Sequence, residues 1–277
     1  MPTQKEKAER FRALHERPGV LLLPNPWDGG SACVFEQLGF EALATSSGAC
    51  AATLGRRDGK ISRDEALAHI RQIVEATTLP VAADLENGFA AEPGGVAETI
   101  RLAAAAGVVG GSIEDFTGDA ARGQFDLAHA TERVAAAVAA ARSLPFHFTV
   151  TARAENYFRG RPDLDDTLKR LVAYEQAGAD VLFAPALPDL AAVREVCAAI
   201  QKPVNFMVGI KGKSFTVAAL TTAGVKRISF ASSLYRAAMT GGWQAAREIK
   251  ESGTFGYLDV TLTTAELNGF LTTDEHG

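Results

Sequence analysis

Residues 81–88 of the chain read VAADLENG, a short apolar segment that runs into two carboxylates, Asp84 and Glu86. Side chains two positions apart in an extended chain point to the same face, so we expect these two to project together. Residues 110–115, GGSIED, repeat the pattern, and Glu114 has the same parity as the small residues before it. Carboxylates gathered at strand ends repel one another unless they hold a hard cation, so the two segments predict a Mg²⁺ site.

Strand and helix patterns alternate on both sides of these segments. Short apolar strands are predicted near residues 20–24, 42–46, 81–85, 109–113, 147–152, 180–184, 204–208 and 226–230. Amphipathic or Ala-rich helices are predicted near residues 29–38, 62–76, 94–106, 126–142, 164–177, 188–200, 214–222 and 232–250. Eight strands, each followed by a helix, predict an α/β fold of the (β/α)8 TIM-barrel type. No linker interrupts the pattern, so residues 1–277 are predicted to form a single domain.

The C-terminal tail, residues 253–277, does not fit the repeat. It mixes polar residues with the large apolar residues Phe255, Tyr257, Leu258, Leu262, Leu267, Phe270 and Leu271. The helix near 232–250 is expected to complete the barrel wall, which leaves the tail no vacant groove. The tail therefore needs a partner surface, either on its own barrel or on a neighbouring subunit.

Composition narrows the functional class. The chain has 277 residues, with 28 basic and 33 acidic side chains and a net charge of -5, and no basic block, so a nucleic-acid partner is not expected. No apolar run is long enough to span a bilayer, and residues 1–17 do not resemble a signal peptide. Three scattered cysteines form no zinc spacing and suit a reducing compartment. We expect a cytoplasmic protein with no membrane or nucleic-acid partner.

Polar residues follow most of the predicted strands. In a barrel, the active residues lie at the C-terminal strand ends and in the loops that follow. The polar positions there are Asn25-Pro26-Trp27-Asp28, Thr45-Ser46-Ser47-Gly48, Asp58, Asp84, Glu86, Glu114, Arg153 and Asn205. They combine several carboxylates with one arginine and small donors, a set that suits metal-assisted chemistry on a small acid.

Five motifs, in this order and spacing, resemble the isocitrate lyase/phosphoenolpyruvate mutase superfamily over about residues 10–250. They are Asn25-Pro26-Trp27-Asp28, Thr45-Ser46-Ser47-Gly48, Asp84-Leu85-Glu86-Asn87-Gly88, Gly110-Gly111-Ser112-Ile113-Glu114-Asp115 and Ala152-Arg153. The chain is most similar to its short bacterial members, which act on small 2-oxo or 2-hydroxy carboxylates. The resemblance implies a metal-dependent lyase, with Mg²⁺ as the cofactor and Mn²⁺ as an alternative. It implies that Asp84 binds the ion directly while Asp58, Glu86 and Glu114 hold its water molecules.

The resemblance also implies a substrate site. The Ser47 hydroxyl and the amides of Gly48 and Ala49 would grip the substrate carboxylate, and Arg153 would bind its oxo group or far charge. Thr45 and Asn205 would complete the substrate contacts. The catalytic residues implied are Arg153, Glu114 and Ser47, acting on an enolate that forms when a C–C bond breaks.

Two departures from the family pattern bear on the reaction. Residues 116–125, FTGDAARGQF, stand where the isocitrate and methylisocitrate lyases carry a Lys-Lys-Cys-Gly-His loop, and they contain none of those groups. The end of the sixth strand lacks the histidine of the phosphorus–carbon enzymes. Oxaloacetate-type decarboxylation demands least of this loop, because CO₂ leaves and water can supply the proton. The segment is expected to be a mobile lid.

Other functions stay open at this point. Mutase or phosphonopyruvate-hydrolase chemistry on a C–P bond is one alternative, and a 2-oxo-acid-binding protein with little turnover is another. A Schiff-base aldolase would need a lysine at a strand end, for which Lys211 and Lys213 are the fair candidates. The resemblance further implies a homo-oligomer, a dimer of dimers, in which residues 253–277 are exchanged between subunits.

Overall fold

A computed structural model describes residues 1–271 of the chain. It contains eight parallel strands, which are β1 (Leu21–Leu23), β2 (Leu43–Ala44), β3 (Val81–Asp84), β4 (Gly110–Glu114), β5 (Thr149–Arg153), β6 (Val181–Phe183), β7 (Val204–Met207) and β8 (Arg227–Ser229). Each pairs with its neighbours in chain order, and β8 returns to β1. The gap between β1 and β2 is bridged by a hydrogen bond from the Ala44 amide to the Pro24 carbonyl at 3.0 Å. The predicted (β/α)8 barrel is thereby confirmed, with a nearly closed sheet.

Helices surround this sheet. They are α1 (Gln4–Glu16), α2 (Gly29–Gln37), α3 (Ser47–Thr53), α4 (Arg63–Glu75), α5 (Pro93–Ala105), α6 (Leu127–Arg142), α7 (Leu164–Gln176), α8 (Leu190–Ala199), α9 (Val217–Thr222), α10 (Ser233–Ser252) and α11 (Thr264–Phe270). The short α3 was not predicted. Within residues 1–271, none of these helices combines the length and the apolar character needed to cross a membrane.

Local chemistry fixes where these helices begin and end. Asp28 and Ser62 cap α2 and α4, because each side chain accepts the amide of the residue three positions on. At the other end of α5 the chain turns at Gly107, with φ +100°, where an added Cβ would lie 2.7 Å from Val74. Only glycine fits there, since the conformation and the close approach both exclude a side chain.

The apolar core has two parts. Outside the sheet, strand residues such as Val150 pack against helix residues such as Ile70 and Ile100. Inside, the lower end of the barrel is closed by α1, whose Phe11 packs with Leu21 and other residues at the strand starts. The upper end, where the strands finish, is left open.

His15, near the end of α1, belongs to this lower closure. Its Nδ1 lies 2.8 Å from the Phe11 carbonyl, and its Nε2 is buried with no partner among the described residues. Burial first, and then the positive charge of Arg227, lower the pKa of His15 to about 3. The imidazole is therefore neutral in the folded protein at neutral pH.

The expectation that the last barrel helix completes the wall is wrong. Helix α10 is present at the predicted place, but none of its residues is buried. Its first turn contacts the barrel through Tyr235, whose ring meets Trp27 edge-on at 5.8 Å. Farther along, Met239 and Trp243 are 53% and 58% exposed. Apolar surface that needs a partner thus begins at α10, ahead of the predicted tail.

The tail itself is also exposed. It forms a 3-10 helix, Gly256–Val260, which packs on α10, and then α11, which contacts α2. Phe255 and Leu258 remain about three-fifths exposed. Residues 272–277 of the predicted tail lie outside the described residues.

The buried His15 predicts an acid-sensitive fold. The pKa of His15 is near 6.5 in the unfolded chain and about 3 in the folded protein. As the pH falls below 6.5, the unfolded state therefore binds a proton at His15 that the folded state binds only near pH 3. The stabilisation is complete above about pH 6.5 and is lost progressively toward pH 3. Between pH 7 and 5, His15→Phe should lose less unfolding free energy than the unmodified protein, by about 2 kcal/mol.

Urea unfolding at the two pH values measures this difference. His129→Phe, at a half-buried surface position, is the control and should keep the full pH dependence. Equal pH dependence in His15→Phe and the unmodified chain would show that His15 is protonated in the folded state.

Candidate active site

A cavity of about 500 Å³ opens at the C-terminal ends of the strands. Its walls include nine of the ten predicted site residues, which are Thr45, Ser47, Gly48, Asp58, Asp84, Glu86, Glu114, Arg153 and Asn205. Ala49 is the exception, because it is fully buried away from the cavity. The structure therefore brings together residues that are up to 160 positions apart in the chain, on five different strands or the loops that follow them.

The unpredicted helix α3 sets the position of the residues after β2. The Ser46 side chain caps this helix by accepting the Ala49 amide at 3.3 Å. The Ala49 amide is thus engaged by the cap, contrary to the expectation that it would grip a substrate. Gly48 lies against Asp58, where an added Cβ would come within 3.3 Å of the carboxyl carbon.

Asp84 is the most heavily hydrogen-bonded carboxylate of the cavity. Its Oδ2 accepts both the amide of Ser47 at 3.0 Å and the Ser47 hydroxyl at 2.9 Å. Its Oδ1 accepts from Arg153 Nη1 at 3.2 Å, and its own amide donates to the Thr45 hydroxyl at 3.0 Å. These contacts fix the direction of the Asp84 carboxylate at the end of β3.

Glu86 is strained and unsatisfied. Its φ is +48°, in the left-handed region that side chains other than glycine rarely adopt. One carboxyl oxygen, Oε1, is buried without a hydrogen-bond partner among the described residues. Burial first, and then the charges of Asp84 and Asp58, raise the pKa of Glu86 to about 7. Strain and an orphaned oxygen in one residue are typical of a site that binds a ligand.

Glu114 and Arg153 form the centre of a buried ionic cluster. Arg153 Nη2 lies 3.1 Å from Glu114 and 2.8 Å from Glu155, which is completely buried. Arg159 joins the same two carboxylates at 3.0 and 3.1 Å. Burial and the nearby Glu155 raise the pKa of Glu114 well above its usual range. Burial opposes the charge of Arg153, but Glu155, Glu114 and Asp84 outweigh it and raise its pKa.

Glu114 and Asp115, adjacent at the end of β4, point to opposite sides of the strand, as its alternation predicts. Glu114 faces the cavity, whereas Asp115 turns outward and is buried beneath α7. There Asp115 accepts from Tyr174 at 2.7 Å, Arg170 at 3.0 Å and Gln124 at 3.0 Å. Asp115 therefore has a structural role and anchors the far end of the 116–125 segment.

The 116–125 segment folds as a short hairpin over the cavity mouth. Phe116 pairs with Gln124 in an antiparallel bridge, and the tip between them is exposed. The guanidinium carbon of Arg159 lies 3.8 Å from the centre of the Phe116 ring, so the base of the hairpin packs on the ionic cluster. Its movement as a lid stays a prediction.

The donor set of the cavity fits a hard divalent cation held mainly through water. Among residues 1–271, no group of three or more His, Cys, Asp or Glu side chains converges to ligate one ion directly. Mg²⁺ usually keeps several waters and takes one or two carboxylates, so a single direct ligand with carboxylates around it satisfies this ion. The orphaned, buried Glu86 oxygen beside Asp84 is the observation that favours a cation there.

The sequence analysis missed several cavity or cluster residues, among them Glu155, Arg159 and Arg227. Glu155 and Arg159 follow β5 in the same loop, so the rule that places active residues after barrel strands could have found them. Arg227 is a charged residue at the start of the apolar strand β8. Periodicity alone predicts that such a residue is exposed, so the sequence analysis did not place it in the cavity.

Comparisons with known proteins identify the family of this chain. The family model for phosphoenolpyruvate phosphomutase matches residues 11–250. A Burkholderia cenocepacia J2315 protein, provisionally named a lyase/mutase, superposes with a TM-score of 0.94 at 50% identity, with 96% of each chain covered. A 2,3-dimethylmalate lyase superposes with a TM-score of 0.88 at 26% identity, covering 100% of this chain and 97% of that one.

Relatives with assigned activities point the same way. The 2-methylisocitrate lyase of Halalkalibacterium halodurans is 28% identical over 260 residues, which cover 91% of this chain and 85% of the relative. Since the family model spans most of the barrel, the chain belongs to the phosphoenolpyruvate phosphomutase family, within the isocitrate lyase/phosphoenolpyruvate mutase superfamily.

Proposed function

We propose that this protein is a Mg²⁺-dependent carbon–carbon lyase acting on a small 2-oxo or 2-hydroxy dicarboxylate, in the manner of an oxaloacetate decarboxylase. The observation that carries the proposal is the convergence of Asp84, Glu86 and Glu114 with the fixed guanidinium of Arg153 in one cavity. Relatives named as 2-methylisocitrate lyase and 2,3-dimethylmalate lyase support a lyase rather than a binding protein.

The residues around Asp84 would hold the metal. Asp84 would be the direct ligand, Asp58, Glu86 and Glu114 would accept hydrogen bonds from the metal's waters, and Mn²⁺ should substitute. When bound, the ion supplies Lewis-acid stabilisation of negative charge on a substrate oxygen. The Ser47 hydroxyl, which donates to Asp84 Oδ2, would be free to donate to the substrate carboxylate beside Gly48 if Asp84 bound a metal.

Arg153 supplies the second positive group. Glu155 and Glu114 fix its guanidinium at two nitrogens, so its charge is oriented before substrate arrives. A preorganised donor of this kind stabilises the enolate that develops as a C–C bond breaks. The hairpin, residues 116–125, offers no Cys, Lys or His as a proton donor, so water is left to protonate the product. Decarboxylation fits this site best for that reason.

The first prediction concerns the metal. The protein is screened with Mg²⁺ against oxaloacetate, substituted malates and phosphonopyruvate. It should release pyruvate and CO₂ from oxaloacetate. Asp84→Ala should abolish this release, because it removes the direct ligand, while Glu86→Gln should weaken metal binding roughly ten- to a hundredfold.

Asp64→Ala, in the exposed first turn of α4, is the matched control and should keep full activity. Phosphate release from phosphonopyruvate would move the assignment to C–P chemistry. Activity that is unchanged by EDTA would contradict the metal-dependent mechanism.

The second prediction concerns Arg153. Arg153→Lys should lower kcat by roughly a hundredfold or more, because one ammonium cannot reach Asp84, Glu114 and Glu155 with the spread of a guanidinium. Steady-state kinetics separates the two roles. A rise in KM with unchanged kcat would mean that Arg153 only binds substrate.

We further propose that the protein is a cytoplasmic homo-oligomer, a dimer of dimers, whose subunits exchange their C-terminal segments. All three cysteines are free thiols, which suits a reducing compartment. Helix α10 has a continuous apolar side, with Met239, Trp243 and Ile249 exposed, and a subunit partner would bury it. The exchanged segment in this proposal is α10 together with the tail, rather than the tail alone.

The third prediction tests that exchange. Met239→Glu combined with Trp243→Glu should lower the oligomeric state in sedimentation velocity, since two charges would have to enter the subunit contact. Gln244→Glu, on the same helix, is the control and should leave the assembly intact. An unchanged, equally stable oligomer in the double variant would show that α10 lies outside the contact.

A further inference from the structure

Arg227 forms the floor of the cavity. It begins β8, is 5% exposed, and projects into the barrel lumen. Its Nε donates to the side-chain oxygen of Asn205 at 2.8 Å, and its Nη2 donates to the Thr151 hydroxyl at 3.1 Å. Because Thr151 belongs to β5, three strands away, the guanidinium extends across the lumen beneath the carboxylate cluster.

No carboxylate balances this charge. Within residues 1–271, no Asp or Glu oxygen lies within 4 Å of Arg227, whereas Arg153, Arg159 and Arg170 each contact two or more. The other deeply buried arginine that lacks a carboxylate, Arg133, donates instead to three backbone carbonyl groups. Arg227 has two neutral side-chain acceptors, and its Nη1 has no partner among the described residues.

A buried guanidinium without a counter-charge is costly. Burial lowers the pKa of Arg227 to about 9, which still leaves it charged at neutral pH. From below, Arg227 faces His15, whose pKa its charge helps to lower, and which is neutral. The described residues supply no counter-charge for Arg227. We therefore expect an anionic group of a ligand in the cavity to supply it.

The groups around Arg227 offer donors and no spare acceptor. Since Arg227 occupies the Asn205 carbonyl oxygen, the Asn205 amide nitrogen must point the other way, and it donates to the Ser229 hydroxyl at 3.0 Å. Ser229, having accepted, can turn its own O–H into the cavity. Arg227 and Ser229 both line the cavity, and their remaining N–H and O–H donors suit an anion.

We propose that Arg227, with Asn205 and Ser229, is a second anion subsite that binds the distal carboxylate of a dicarboxylate whose 2-oxo or 2-hydroxy end lies at Asp84. This deepens the proposed function and rests on it for the position of the proximal end. The substrate class narrows to dianions of about four or five carbons. Arg227 thereby determines specificity, while Arg153 serves the reacting end.

The test compares two ligands that differ only at the distal end: malate, and 2-hydroxybutyrate, in which a methyl group replaces the second carboxylate. Calorimetric titration of the Mg²⁺-loaded protein with each enantiomer gives the dissociation constants. The unmodified protein should prefer malate. Arg227→Met should weaken malate binding by roughly ten- to a hundredfold and change 2-hydroxybutyrate binding little.

Arg236→Met is the matched control. Arg236 also lines the cavity, but it is exposed at the rim, so its loss removes an equal charge without touching the floor. The ratio of the two dissociation constants should not change in this variant. Arg227→Lys, which keeps the charge, should keep a preference for malate.

Thermal unfolding without ligand separates binding from structural support. Removing an unpaired buried charge should leave Arg227→Met as stable as the unmodified protein, or more so. Marked destabilisation with equal loss of both ligands would make Arg227 a structural residue and overturn the subsite. No preference for malate in the unmodified protein would overturn it too, while Mg²⁺-dependent binding of both acids would leave the proposed lyase site intact.

Discussion

The ion pairs of Arg153 with Glu114 and Glu155 are the interactions on which the site depends. They join the ends of β4 and β5, and through Asp84 they reach β3 as well. Three carboxylates could not lie so close together in a buried place without that guanidinium, because their mutual repulsion and the loss of hydration would favour protonation. Arg159 extends the cluster to the cavity mouth and supports the hairpin through Phe116. The same ion pairs that stabilise the strand ends therefore also set the charge that a substrate meets.

The cavity is polarised along the barrel axis. Its upper half gathers Asp58, Asp84, Glu86 and Glu114, while its floor holds the unbalanced charge of Arg227. A divalent cation would neutralise the upper carboxylates, and an anionic ligand group would neutralise the floor. A metal-bound dicarboxylate satisfies both ends at once, since it brings an acceptor to each positive centre. The strained backbone of Glu86 and the buried charge of Arg227 are two costs of the fold that such a ligand would offset.

Strand and helix positions were predictable because the barrel repeats one local rule eight times, with apolar strands and amphipathic helices of the right period. The inward parity of Glu114 over Asp115 followed from the same rule. The carboxylates and Arg153 were found because they follow strands. What failed was nonlocal: Ala49 is engaged in capping a helix too short to show a period, and Arg227 is buried although charged. Helix α10 has the amphipathic pattern of a barrel helix. That pattern does not distinguish packing on its own barrel from packing on a neighbouring subunit.

The hairpin joins the ionic cluster of the cavity to the buried contacts beneath α7. Its near end, Phe116, rests on Arg159, and its far end is fixed through Gln124 to Asp115, whose other contacts are Arg170 and Tyr174 on α7. Arg159 also pairs with Glu114, so any ligand that draws Glu114 toward a cation weakens that pair and frees the guanidinium under Phe116. The far end does not share in this change, because Asp115 faces the opposite side of β4. One end of the hairpin can therefore respond to occupancy of the cavity while the other stays fixed, which is the mechanical requirement for a hinged cover.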